Sequence, residues 1–571
     1  MNRSSRPETL DDLLEIIKPF GRWQIALIAT LSILMIFQGA VNIGNVFYSY
    51  NPVHYCRIEE VENNPNVDYK DVKNISYPTR EDGEGPNSCV MFDINYTETL
   101  GLLSQSSLAD FQFSINQSVI ANNYSLANCT RGWHFETDIV AKTTVGEFGL
   151  ICGNTVHIAH TNSVYMFGIL TGSLLVGPLS DYFGRKFAFV FFGFVACGFG
   201  VALSFVRTYD AFLAIRFFSA IGNVGGWISL FVLIQEITVT KYRSLIGGLF
   251  WTPYGIGNAG LAGIAYLIRD WRTLNLILTA PLAIIVLLIF IIPESFRWLL
   301  GRDQKDRAYG EIRRAAKWNQ VKLPADFSLD TVIENIKKAD GAIIVRYEEE
   351  QQKRTNTNYC HMFRHPVYIV RTVNVYFNWM VNSMIFYGLS YNVGAFTGNL
   401  FVNQAMSGLV EIPACLVTVP LLNWGRKRSL ALMLGLAGVA CCCISVPYPE
   451  SVQPLSQLFF FAGKFCATAS FNIVYCITTD LYPTVVRTTA QATGSMFARI
   501  GSIVSPYILI IPDTVPLGTA AYARLKPVPP IIFGLFALTA AALTLLLPET
   551  RGKALPETLP DGLKNLSWFE K

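Results

Sequence analysis

Twelve apolar stretches, each about 20 residues long, recur along this 571-residue chain and constrain what it can fold into. They fall near 25–48, 156–177, 187–206, 209–234, 245–268, 274–292, 369–391, 399–422, 429–447, 454–479, 488–511 and 528–548. A helix rises 1.5 Å per residue, so about 20 residues cross the hydrocarbon core of a bilayer. Lipid offers the backbone no partners, which leaves the internally hydrogen-bonded helix as the form such segments take. With 51% hydrophobic and 15% charged residues, the chain is too apolar for a water-soluble globule. An all-α membrane protein of twelve transmembrane helices is expected. Residues 1–24 carry mixed charge, and the first apolar stretch is too long for a cleavable signal, so the first span is expected to act as its own anchor.

Two hydrophilic insertions separate the spans. Residues 49–154 hold 6 Lys/Arg against 14 Asp/Glu, four cysteines (Cys56, Cys89, Cys129, Cys152) and five glycosylation sequons at Asn74, Asn95, Asn116, Asn123 and Asn128. Residues 293–371 hold 15 Lys/Arg against 11 Asp/Glu and no sequon. Sequons beside an even number of cysteines point to an extracellular, glycosylated, disulfide-bonded loop at 49–154. Four cysteines allow three pairings, and the sequence does not choose among them. The remaining eight cysteines have no metal-ligand spacing and read as packing residues.

The short loops reveal a duplication. GPLSDYFGRK (177–186) is matched by LLNWGRKRS (421–429), EITVTKYR (236–243) by DLYPTVVR (480–487), and PESFRW (293–298) by PETRG (548–552). The offsets are 425 − 184 = 241, 480 − 236 = 244 and 549 − 294 = 255. Two six-span halves are therefore expected at 25–292 and 369–548, joined by a cytoplasmic linker at 293–368 and followed by a cytoplasmic tail at 549–571. Parallel halves of this kind suit alternating-access carriers, with the substrate held between them. The landmarks combine acids with bases: Asp181 with Arg185 and Lys186, Glu236 with Arg243, and Asp480 with Arg487. Such pairs are read as latches between helix ends on the cytoplasmic face.

GPLSDYFGRK resembles the signature loop of the major facilitator superfamily. Together with the long first loop, PESFRWLL, DLYPTVVR and PETRG, it resembles the organic ion transporter family of that superfamily, whose members carry organic cations, organic anions and carnitine-like zwitterions. The resemblance runs from NPVHYCR (51–57) to LPETRG (547–552).

Ionisable residues deep in a span are costly and read as functional by default. Arg499 lies 12 residues past Arg487, about 18 Å along a helix and near the midplane. Glu411 lies about 21 Å from Gly425, and Lys464 about 24 Å from Asp480. Arg216, near an outer helix end, reads as structural. Arg499 can be read as the structural partner of Glu411 or as the group that takes a substrate carboxylate. The resemblance favours the second reading, because the matching position is aspartate in the cation carriers and arginine in the anion and carnitine carriers. It also implies substrate-binding roles for Glu411 and Lys464. Aromatic residues gather at similar depth: Trp227, Trp251, Tyr254, Tyr376, Trp379, Phe386, Tyr387 and Tyr475. Trp379 and Phe386, seven apart on one helix face, match pocket positions of the family. An arginine facing aromatic rings suits a zwitterion, because ring faces attract ammonium groups.

The expected function is polyspecific transport of small organic ions across the plasma membrane by alternating access, favouring a zwitterionic or carnitine- or betaine-like substrate. An organic anion exchanger and a simple organic cation uniporter are the alternatives. Sodium-coupled carnitine carriers of the family keep asparagines where this chain has Gln38 and Gly226, which favours a uniporter or an exchanger. No nucleotide-binding loop or catalytic constellation occurs, so neither an enzyme nor a cofactor is expected. The expected partners are the organic ion and the lipid bilayer, with no nucleic acid, and the expected unit is a monomer.

Overall fold

The computed structural model describes residues 14–18, 21–62, 89–93, 126–239, 242, 251–284, 292–302, 304–321, 366–395, 398–446, 453–482, 484–514 and 524–551. Among these, twelve helices fall on the twelve apolar stretches. The first six are α1 (Arg22–Ile43), α2 (Val156–Phe183), α3 (Arg185–Leu203), α4 (Tyr209–Ile237), α5 (Thr252–Leu267) and α6 (Trp271–Thr279). The second six are α7 (Pro366–Tyr391), α8 (Leu400–Trp424), α9 (Arg426–Ile444), α10 (Pro454–Leu481), α11 (Thr484–Leu509) and α12 (Val528–Thr544).

Seven of them (α1 to α4 and α8 to α10) are long and apolar enough to cross a membrane by length and composition alone. Helix α7 carries Asn374, Asn378 and Asn382, all buried, with Asn374 donating to the Leu543 carbonyl of α12 and Asn378 accepting from Thr544. These amides face protein instead of lipid, where their hydrogen bonds can be satisfied. Helix α6 gives way to a 3-10 turn at Ala280–Ile284.

Each half builds a core of its own, and a third apolar cluster joins residues of both. One apolar cluster draws only on residues from Tyr368 to Leu547. Another draws only on residues from Leu14 to Ala315, and includes the packed face of a short helix at Lys305–Trp318. The halves meet along two seams, α5 against α8 and α2 against α11. At the first seam the backbones nearly touch, since a Cβ on Gly408 would fall into the backbone of Ala259. Close approach through small residues is how helices gain dispersion energy in lipid, where burial drives little.

The first hydrophilic insertion folds over one end of the bundle. Strand β1 (His54–Cys56) pairs antiparallel with β4 (Trp133–Phe135), and β2 (Val90–Phe92) with β3 (Leu126–Asn128). Disulfides join Cys56 to Cys129 and Cys89 to Cys152, which selects one of the three pairings. Asn128 is exposed, as glycosylation requires. Asn74, Asn95, Asn116 and Asn123 lie outside the described residues.

On this disulfide face the halves are pressed together. Phe401 of α8 stacks on Phe47 with ring centroids 5.5 Å apart, and Tyr266 meets it edge-on at 5.4 Å. Ser163 of α2 donates to the Ile503 carbonyl of α11 at 2.8 Å, and His160 lies edge-on to Tyr507.

Candidate functional site

A cavity lies between the halves, lined mainly by apolar and aromatic side chains with a few polar groups among them, as small-molecule sites are. Helices α1, α2, α4 and α5 wall it on one side, and α7, α8, α10 and α11 on the other. Of the residues singled out by sequence, Arg499, Glu411, Phe386, Tyr387, Trp227, Tyr254 and Tyr475 line it. Trp379 and Lys464 do not.

Trp379 is fully buried behind the wall. Its indole N–H donates to Thr478 at 3.0 Å, and its ring meets Tyr475 edge-on at 4.4 Å. Seven residues put Trp379 and Phe386 on one face of α7, yet about 10.5 Å apart along its axis, and the cavity reaches only the Phe386 level. Trp379 therefore buttresses the wall instead of forming it.

Lys464 is fully buried, and its ammonium is satisfied by protein. It lies 3.0 Å from Glu411 Oε1, donates to Ser390 and the Phe386 carbonyl, and sits 3.4 Å from the Phe386 ring centroid. An isolated charge here would be very unfavourable, so the pair and its hydrogen bonds belong together. Glu411 Oε1 also accepts from Asn258 Nδ2 of α5 at 2.9 Å, and Gln404 of α8 donates to Asn258 Oδ1. The partner of Glu411 is thus Lys464, not Arg499.

Arg499 has no carboxylate within ion-pair distance among the described residues. It is 7% exposed, Nη1 donates to the Tyr387 hydroxyl at 3.4 Å, and Nε has no partner. A buried guanidinium with an unmatched donor that opens on a cavity is a ready site for an anionic group. Aromatic rings line both sides of the cavity: Trp227 edge-on to Trp251 and Trp251 edge-on to Tyr254 in the first half, and Phe471 between Phe386 and Tyr475 in the half of Arg499. Phe471 is a wall residue that sequence reasoning missed. Its position four residues before Tyr475 on α10, hence on the same face, was an available signal.

On the face opposite the disulfides, the repeated loops form two matching clusters. Arg185 reaches Glu236 at 3.0 Å and Asp181 at 3.0 Å, while its backbone N–H and that of Lys186 donate to Glu294. In the second half Arg426 pairs with Asp480, and its backbone N–H donates to Glu549 at 2.9 Å. Burial pushes the Glu294 carboxyl above its ordinary range, against the pull of its backbone donors. Gly184 and Gly425 precede the two arginines at φ 105° and 147°, a backbone open to glycine, and a Cβ on either would collide with Glu294 or Glu549.

The expected Asp181–Arg185 pair forms, Glu236 also reaches Arg185, Asp480 also reaches Arg426, and Lys186 donates through its backbone N–H. Every such contact lies within one half. Arg243 and the Arg487 side chain lie outside the described residues. Arg426, Glu294 and Glu549 were missed, although the 241-residue offset maps Arg185 onto Arg426 directly. Replacing Arg426 by Ala removes a cation that pairs with Asp480 at a helix end far from the cavity. The expected result is maximal uptake lowered about tenfold with little change in substrate KM, because such contacts govern conformational steps. A change confined to KM would contradict a latch role.

The sequence model of the family described as "Sugar (and other) transporter" matches residues 103–559. The chain is 30% identical over 559 residues to the human organic cation/carnitine transporter 2, covering 97% of this chain and 94% of that protein. It is 29% identical over 553 residues to the organic cation transporter protein of Drosophila melanogaster, covering 97% and 94%. Among solved structures, the partially occluded inward-open xylose transporter XylE from E. coli superimposes with a TM-score of 0.56 at 13% identity. That match covers 93% of this chain and 99% of the other and shows a shared fold.

Proposed function

Because the chain belongs to the sugar (and other) transporter family, and within the major facilitator superfamily to its organic ion transporters, we propose that it carries a carboxylate-bearing organic ion across the plasma membrane. The observation that carries this reading is Arg499, a buried cavity guanidinium with an unmatched donor and no acid beside it. A substrate carboxylate would complete its hydrogen bonding, and the bidentate geometry open to arginine favours such a group.

The rest of the cavity supports a zwitterion of the carnitine or betaine type. Its ammonium would rest on the faces of Trp227, Trp251 and Tyr254, each good contact contributing about 0.5–2 kcal/mol. Glu411 is already engaged by Lys464 and Asn258, so the amine end is recognised by rings and not by a carboxylate. That same neutralisation supports an organic anion as the second reading, since the cavity then presents one net positive charge. It disfavours a simple cation.

The disulfide face is proposed to be extracellular and both termini cytoplasmic. Closure there, with the Arg185 and Arg426 clusters opposite, fits one stage of alternating access in which the two halves rock about the cavity. Gln38 donates to the Asn223 carbonyl and Gly226 adjoins open space, which supports uniport or exchange over sodium coupling.

Uptake of labelled carnitine, glutarate and tetraethylammonium, with and without sodium, tests the reading. Carnitine uptake independent of sodium is expected. Uptake of tetraethylammonium alone would overturn the carboxylate requirement.

A further inference from the structure

Glu411 lies on the cavity wall, yet its charge is already matched from behind. Lys464 Nζ is 3.0 Å from Glu411 Oε1, fully buried on α10, and is not itself a lining residue. Its ammonium also sits 3.4 Å from the centroid of Phe386, a ring that does line the cavity. Asn258, from the other half, donates to the same Glu411 oxygen.

We propose that Lys464 is a resident counter-cation that sets charge selectivity without touching substrate. It occupies the one carboxylate that a cationic substrate could use, and it takes up a face of the Phe386 ring that could otherwise attract an ammonium. A simple organic cation would have to displace an ammonium that has nowhere wetter to go, leaving it stranded in a low-dielectric interior. Among the described lining residues, Arg499 is then the one charge without an ionic partner. The proposal rests on the reading of this cavity as the transport site, and it makes Lys464 a positioning residue for charge, opposite in sense to a direct anion ligand.

Two variants test it, each scored as uptake per transporter at the cell surface, with surface abundance measured by biotinylation. K464Q releases Glu411, and tetraethylammonium uptake is expected to rise about tenfold over wild type, equivalent to about 1.4 kcal/mol of selectivity. The double variant E411Q/K464Q lacks the carboxylate and is expected to show no such rise. E411Q alone leaves Lys464 unmatched, and glutarate uptake is expected to rise by a similar factor. K464Q present at the surface without a gain in tetraethylammonium uptake overturns the proposal, as does an equal gain in the double variant. If K464Q does not reach the surface, E411Q decides: a glutarate gain supports the proposal, and no gain overturns it. These readouts do not depend on carnitine, so failure of the zwitterion reading, seen as absent wild-type carnitine uptake, is scored separately.

Discussion

Replacing Arg499 with Ala is expected to raise the KM for a carboxylate substrate roughly 30-fold or more while the protein still reaches the surface. Arg499 is 7% exposed, and removing one side of a buried, hydrogen-bonded charge pair costs about 2–5 kcal/mol. At about 1.4 kcal/mol per factor of ten, affinity falls by roughly 30-fold or more. Arg499→Lys keeps the charge but loses the planar fork, and should recover only part of the uptake. The measurement is KM for labelled carnitine in both variants, normalised to surface abundance. Survival is expected because Arg499 pairs with no acid among the described residues, so its loss strands no buried carboxylate there. Unchanged KM in Arg499→Ala would end the proposed role of this residue.

The second large effect is conformational. Gly408 of α8 lies where a side chain would enter the backbone of Ala259 in α5, at a seam between the halves. Overpacking a well-filled contact costs about 1–3 kcal/mol, and more where backbone instead of a flexible side chain must yield. Within each half the packing is untouched, so the strain falls on the state closed at the disulfide face. Gly408→Leu should therefore shift the population toward opening on that face by roughly tenfold or more. Transport stops because the cycle cannot close. Cys415, a cavity-lining thiol, reports the shift. A membrane-impermeant thiol reagent added from the disulfide side is expected to label Cys415 faster in Gly408→Leu than in wild type. Equal labelling with full transport would show that the seam tolerates the side chain.

Much of this architecture is local in origin and therefore readable along the chain. Hydropathy over about 20 residues marks a span whatever its neighbours are, which is why each of the twelve stretches carries a helix. The duplicated loops at a near-constant offset announce two halves before any contact is known. Depth is local as well: counting at 1.5 Å per residue from a helix end is enough to bring Arg499 and Glu411 to the level where the cavity lies.

Partnership is not local. Whether Glu411 meets Arg499 or Lys464 depends on how α8, α10 and α11 are rotated about their axes and which of them adjoin, and a turn of a few tens of degrees exchanges one partner for another. The same holds for Trp379, on the stripe of Phe386 but packed behind Tyr475 instead of lining the cavity, and for the disulfides, where only the pairing of β1 with β4 and β2 with β3 brings Cys56 to Cys129 and Cys89 to Cys152. Composition and spacing determined that this chain is a twelve-helix membrane protein of two repeated halves with charges at mid-depth. Only the tertiary structure decided which of those charges cancel, because cancellation requires contact across helices far apart in sequence, and among the described residues that line the cavity Arg499 is the charge left without a counter-ion.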